Sequence, residues 1–189
     1  MPIYRFRIYF EEDESVYRDV AIRHDQTFQD LHLQILKSFE FDTKHRATFH
    51  RSNDNWQQGR EISLERYEDR AYRVEPLLMA ETRIVSEIRN PNQKFLYTYD
   101  FTRNWPFLVE LISISNEANP KLTYPATVRK EGIGPSQYGT KSILGDRFID
   151  VEEKYDLGAA SEGFGEEGEE AASDAETEDG TDIPADDEA

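Results

Sequence analysis

The sequence predicts an α+β fold: an N-terminal β-hairpin and packed helix, then a largely antiparallel sheet, then a disordered acidic C-terminal tail. Three observations carry this expectation. Phe95, Tyr97, Tyr99 and Phe101 alternate with Leu96, Thr98 and Asp100, and Trp105, Phe107, Val109 and Leu111 repeat that period after the polar break Thr102-Arg103-Asn104. Such alternation is the period of a strand, and the pair makes a hairpin. Phe28, Leu31, Ile35 and Phe39 instead recur at helical spacing. Finally, acid collects at one end, with sixteen Asp or Glu and one Lys from Glu152 to Ala189.

Each element follows in chain order. Residues 3–10 alternate Tyr4, Phe6, Ile8 and Phe10 with Arg5, Arg7 and Tyr9, a first strand. A five-residue polar turn, 11–15, leads into a second strand over 16–24, with Val16, Val20 and Ile22 on a common face. Thr27 suits a helix N-cap, and Asp30 three residues on resembles a capping box. Phe41-Asp42 ends that helix. Residues 46–51 predict a short strand, and 52–61 a loop. The segment 62–80 stays open: a helix followed by a strand is one reading, and Pro76 breaks any continuous helix. Residues 82–89 predict a short helix with Ile84, Val85 and Ile88 inward. The second strand of the 95–112 hairpin is apolar on nearly both faces, so it is expected to be central. Residues 116–142, rich in Pro and Gly, read as an ordered-to-loose surface segment, and 142–153 as a last short strand or helix. The strand–strand–helix opening is β-grasp-like by analogy alone.

The 189 residues fit one domain and a tail, placed at 1–155 and 156–189. Net charge is −17, yet the residues before Glu152 hold 23 acids against 21 bases. The tail therefore carries the acidity, and with almost no hydrophobes it cannot offset its ordering entropy. There is no cysteine, which excludes disulfides, thiol catalysis and Cys-based metal sites. The opening residues lack an apolar core of signal-peptide length, and no run nears the roughly 18 apolar residues of a membrane span. The expectation is a cytoplasmic protein with no membrane partner.

Candidate chemistry is sparse. His32 lies beside the apolar face of the predicted helix, without an HExxH-type or paired-ligand spacing around it, and fits a core-edge histidine with one hydrogen-bond partner. His45 and His50 are five apart, with no carboxylate placed by spacing to share a metal. Asp100 ends the aromatic strand, where it can be a functional carboxylate or can fix the turn by accepting backbone N–H bonds. Gly134 and Gly139 mimic the glycines of a phosphate loop, but Thr140 intrudes before Lys141-Ser142 and Pro135 removes an N–H. No cofactor and no metal are expected. The arginines before the tail are interleaved with acids, so the electrostatic footprint of a nucleic-acid binder is missing.

Three stretches together resemble the plasmid pRiA open-reading-frame-three-like family, bacterial and archaeal proteins whose role is not established. Asp25-Gln26-Thr27-Phe28-Gln29-Asp30-Leu31-His32, followed by Ile35, Phe39, Phe41-Asp42 and His45, is similar to the family's DxTLxDLHxxIqxaFgWdxxHLHxF region. Phe95 to Phe101 with Trp105 is similar to its flYxYDFGDxWxHxI. Tyr124-Pro125 with Gly132, Gly134 and Pro135 echoes a third, Pro- and Gly-rich motif. The resemblance covers roughly 3–140 and marks Asp30, His32, His45, Tyr97, Tyr99, Asp100, Phe101 and Trp105 as motif positions.

The departures bear on function. The family's Gly-Asp after Tyr-Asp-Phe is Thr102-Arg103, its His after the Trp is Phe107, and the second His of HLH is Ala47. Its Cys and Pro-Pro-Glu-Asp run are replaced around Gly134-Pro135-Ser136-Gln137. Core-building positions remain while polar ones are lost. The leading expectation is a non-enzymatic interaction or scaffold domain with an unknown protein partner. A nucleic-acid-associated protein and an enzyme with a degenerate or unfamiliar site are the alternatives.

Overall fold

The structure, a computed structural model, describes residues 1–139. The predicted tail and the last element at 142–153 lie outside the described residues. The described residues form a mostly antiparallel eight-stranded sheet and one α-helix. In chain order the strands are β1 (Ile3–Phe10), β2 (Asp13–Arg23), β3 (Ala47–Ser52), β4 (Gln58–Ser63), β5 (Leu77–Leu78), β6 (Lys94–Tyr99), β7 (Trp105–Ser115) and β8 (Ala126–Glu131). The sheet order is β5-β4-β3-β6-β7-β1-β2-β8. Among the described residues only the short β4–β5 pair is parallel. β7 sits between β6 and β1, the central place its double-sided hydrophobicity predicts.

The helix α1 (Phe28–Phe39) starts where its cap dictates. The Thr27 hydroxyl accepts from the Asp30 N–H, and the Asp30 carboxylate accepts from the Thr27 N–H. The two bonds satisfy two of the donors that every helix start leaves open. Glu40 then adopts a left-handed conformation, and its N–H donates back to the last turn. Phe28, Leu31, Ile35, Leu36 and Phe39 face the sheet and are buried.

The core between them is aromatic. Phe28 meets Phe49 and Phe95 edge-on, with centroids 5.3 and 5.2 Å apart. Phe39 lies 4.8 Å from Phe107. Tyr4, Phe6, Ile8 and Phe10 of β1 point the same way and are all buried. Strand alternation sends Arg5 and Arg7 to the opposite face, where both bind Asp19, whose side chain is fully buried. Burial alone would raise the Asp19 carboxyl, but hydrogen bonds from Arg7 and Arg5 outweigh it and hold the pKa low.

The structure differs from the sequence expectation at five places. The first turn is Glu11-Glu12 alone, because Asp13 already pairs with Phe10 across a register irregularity. The loop 52–61 is shorter, since Asn53 accepts from the N–H groups of Asn55 and Gln57 and turns the chain back early into β4. The helix that one reading puts in 62–80 does not form. Tyr67 is buried there instead, its hydroxyl bonded to the Ala47 backbone, and tertiary contacts override helical spacing. Ile84–Glu87 is a 3₁₀ turn, whose three-residue period puts Glu87 inward with Ile84 and leaves Val85 exposed. Glu87 is paired there with Arg51 at 2.7 Å. Lastly, the segment read as ordered-to-loose contains β8, an edge strand on β2 whose exposure hides its period. Among the described residues no helix is long and apolar enough to cross a membrane.

Candidate functional site

The motif residues divide into separate places. Asp30 serves the helix cap. His32 and Tyr97 meet in the core, the histidine Nδ1 2.8 Å from the tyrosine hydroxyl. Burial pushes the His32 pKa down to about 4, so the ring is neutral at pH 7. Burial likewise pushes the Tyr97 hydroxyl well above its ordinary value. Phe101 turns to the sheet face away from α1 and lies edge-on to Tyr67. Trp105 meets Phe41 edge-on and Phe10 at a tilt, with centroids 5.1 and 6.0 Å apart, and its buried Nε1 has no partner among the described residues.

Tyr99, His45 and Asp100 come together at the end of β6. Three further residues complete this cluster: Asp42, which the sequence placed in the motif region without marking it as a site, and Gln137 and Tyr138, which it did not mark. Asp42 stands in the loop after α1, and its carboxylate is the hub. Its Oδ1 accepts from the Tyr99 hydroxyl at 2.7 Å, from Gln137 Nε2 at 2.9 Å and from the Lys44 N–H. Its Oδ2 accepts from the Tyr138 hydroxyl at 2.6 Å. Burial opposes its charge, yet the bonds from Tyr138, Gln137 and Tyr99 prevail and hold it well below the usual carboxylate range. Tyr99 is pushed the other way, above the ordinary phenol, first by burial and then by its bond to Asp42.

The pattern places a proton on one ring nitrogen of His45. The Tyr138 hydroxyl has one proton, and that proton goes to Asp42. The His45 Nε2, 2.7 Å from the same oxygen, must therefore donate. Its Nδ1 then faces Asp100 Oδ2 across 3.7 Å. Asp100 has a second task. It takes a positive φ of 52°, and its Oδ1 accepts from the Thr102 and Arg103 N–H groups to shape the β6–β7 turn. Arg103 donates to the Gln137 carbonyl and lies over the Tyr138 ring. The cluster thus ties the segment after β8 to the loop after α1. Asp42 was visible in the sequence as part of the motif, three residues before His45. Gln137 and Tyr138 lie where the resemblance fails, and no sequence signal marked them. Among the described residues, no group of three or more His, Cys, Asp or Glu is placed to hold a metal ion.

Beside the cluster lies an apolar cleft of about 440 Å³. Phe10, Val16, Trp105, Ile133 and Pro135 line it, with Glu12 and Asp13 of the first hairpin at its edge. Gly132 permits this shape. Its φ is 70°, and a Cβ there would stand 2.9 Å from a Val16 methyl. Ile133 remains 60% exposed.

Comparison with known proteins places the chain. The crystal structure of a protein of unknown function, MM3350, from Methanosarcina mazei Go1 is similar to it, with a TM-score of 0.62 at 18% identity over 82% of this chain and 83% of that one. That likeness speaks for the fold alone. No curated protein matches. The family model described as plasmid pRiA4b ORF-3-like protein matches residues 2–138. The chain belongs to the plasmid pRiA4b ORF-3-like family.

Proposed function

We propose that this chain is a cytoplasmic, non-enzymatic interaction domain that docks a basic peptide segment of a protein partner in the cleft beside Trp105. The observation that carries this reading is the cleft itself: an apolar floor, an exposed isoleucine and an acidic edge in one place. A large apolar side chain fits the floor, and fully burying one contributes about 1.5–3 kcal/mol. The tip of the first hairpin presents Glu11 and Glu12 in the turn and Asp13 and Glu14 at the start of β2, which favours Lys or Arg beside that anchor. The polar groups of the cluster support the reading from the other side. Asp42, His45, Tyr99 and Tyr138 bond to one another and so brace the cleft wall. Absence of cysteine suits a reducing compartment.

The test is a peptide-library selection on the full chain, followed by affinity measurement on the winners. Enrichment of an aromatic or aliphatic residue flanked by Lys or Arg is expected, with affinity lost in Glu12→Lys and Ile133→Asp. Both variants keep the acidic tail, so peptides held only by the tail would bind them as before. That outcome, or enrichment of acidic peptides, would overturn the reading.

A further inference from the structure

A second cleft lies on the other face of the sheet and has a different chemistry. Strand alternation turns His50 of β3 away from Phe49 and the core. There it lines a cavity of about 730 Å³ between β4 and the loop 70–74. That volume is within the usual range for a small-molecule site.

Its charge is lopsided. Arg60, Arg70 and Arg73 line the cavity, and Glu61 is the acid among its lining residues. Arg70 binds Glu61 at 2.8 Å, so those two charges cancel. Arg60 and Arg73 form no ion pair and no side-chain hydrogen bond among the described residues. Two of the lining arginines are thus without an ionic partner among the described residues. Arg70 is held in place between two rings, its Cζ 5.3 Å from the centroids of both Tyr72 and Phe101. His50 adds a buried Nδ1 that no protein group satisfies.

We infer that this cavity binds a small phosphorylated molecule with a flat body, of nucleotide size. Arg60 and Arg73 take the phosphate, because guanidinium forks match its oxygens two at a time. Tyr72 offers a ring face for the body, as base–aromatic stacking requires. The site is separate from the peptide cleft, and the two share no lining residue.

The test is calorimetric titration of the full chain with AMP, inorganic phosphate and adenosine, beside the double variant Arg60→Gln/Arg73→Gln. Neither arginine has a partner to lose, so the variant should melt with the wild type. AMP is expected to bind saturably, phosphate more weakly and adenosine weakest. The double variant should weaken AMP about tenfold or more, the scale of losing charge-assisted bonds. Absence of saturable AMP binding at millimolar concentration overturns the inference. So does equal AMP affinity in wild type and double variant, or adenosine binding as tightly as AMP.

Discussion

Phe41 has a different neighbourhood on each side. It touches Tyr99, which opens onto the Asp42 cluster, and it touches Trp105, which lines the cleft. In the cluster both oxygens of the carboxylate have donors: two tyrosines, one glutamine and one backbone N–H. In the cleft an isoleucine stands 60% exposed beside the rings of Phe10 and Trp105. The contrast teaches where a fold ends and a surface begins. Groups that satisfy one another hold chain segments together, whereas unsatisfied apolar surface is what a partner can still cover.

The largest expected effect lies on the seam between the two. Trp105→Ala removes an indole packed on Phe41 and Phe10 and should cost about 3 kcal/mol, near the low end for such truncations because the ring is only partly buried. Denaturant melts measure it. A loss below about 1 kcal/mol would mean that the indole belongs to the cleft alone, and not to the core.

Asp42→Ala should come next. It strands the Tyr99, Gln137 and Tyr138 donors and should cost about 2 kcal/mol. Asp42→Asn should cost less, because an amide oxygen still accepts. The same carboxylate sets an acid limit. Its folded pKa is depressed, so its stabilisation is full above the ordinary Asp value near 4 and fades as pH falls below it. Asp42→Asn should flatten that part of the stability profile.

A third effect sits higher on the pH scale. The buried His32 titrates near 4 when folded and near 6.5 when unfolded. The unfolded chain therefore takes up a proton first, and stability falls as pH drops from about 6.5, by about 2 kcal/mol at pH 5. Chemical denaturation at pH 7 and pH 5 should show this, and His32→Gln should remove most of it. An unchanged slope in that variant would point to another group.

Much of the fold was legible because its elements obey single periods. The capping box at Thr27 and Asp30 and the alternating aromatics of β6 and β7 need only local sequence. Tyr67 and β8 were not legible, since each owes its place to a distant strand: Ala47 for the first and β2 for the second. The site divides the same way. Tyr99, Asp100 and His45 carry the family motif, so sequence found them. Gln137 and Tyr138 reach Asp42 across 95 and 96 residues of chain, and no spacing rule covers that distance.

The central claim is that the Asp42 cluster holds the fold while the cleft holds the partner. The most direct measurement pairs binding with stability for two variants, Ile133→Asp and Asp42→Asn, using one basic peptide selected on the wild-type chain. The account predicts that Ile133→Asp loses peptide binding with its melting temperature nearly unchanged. It predicts that Asp42→Asn melts lower yet binds the peptide normally below its melting range. Binding lost in Asp42→Asn and kept in Ile133→Asp would contradict it.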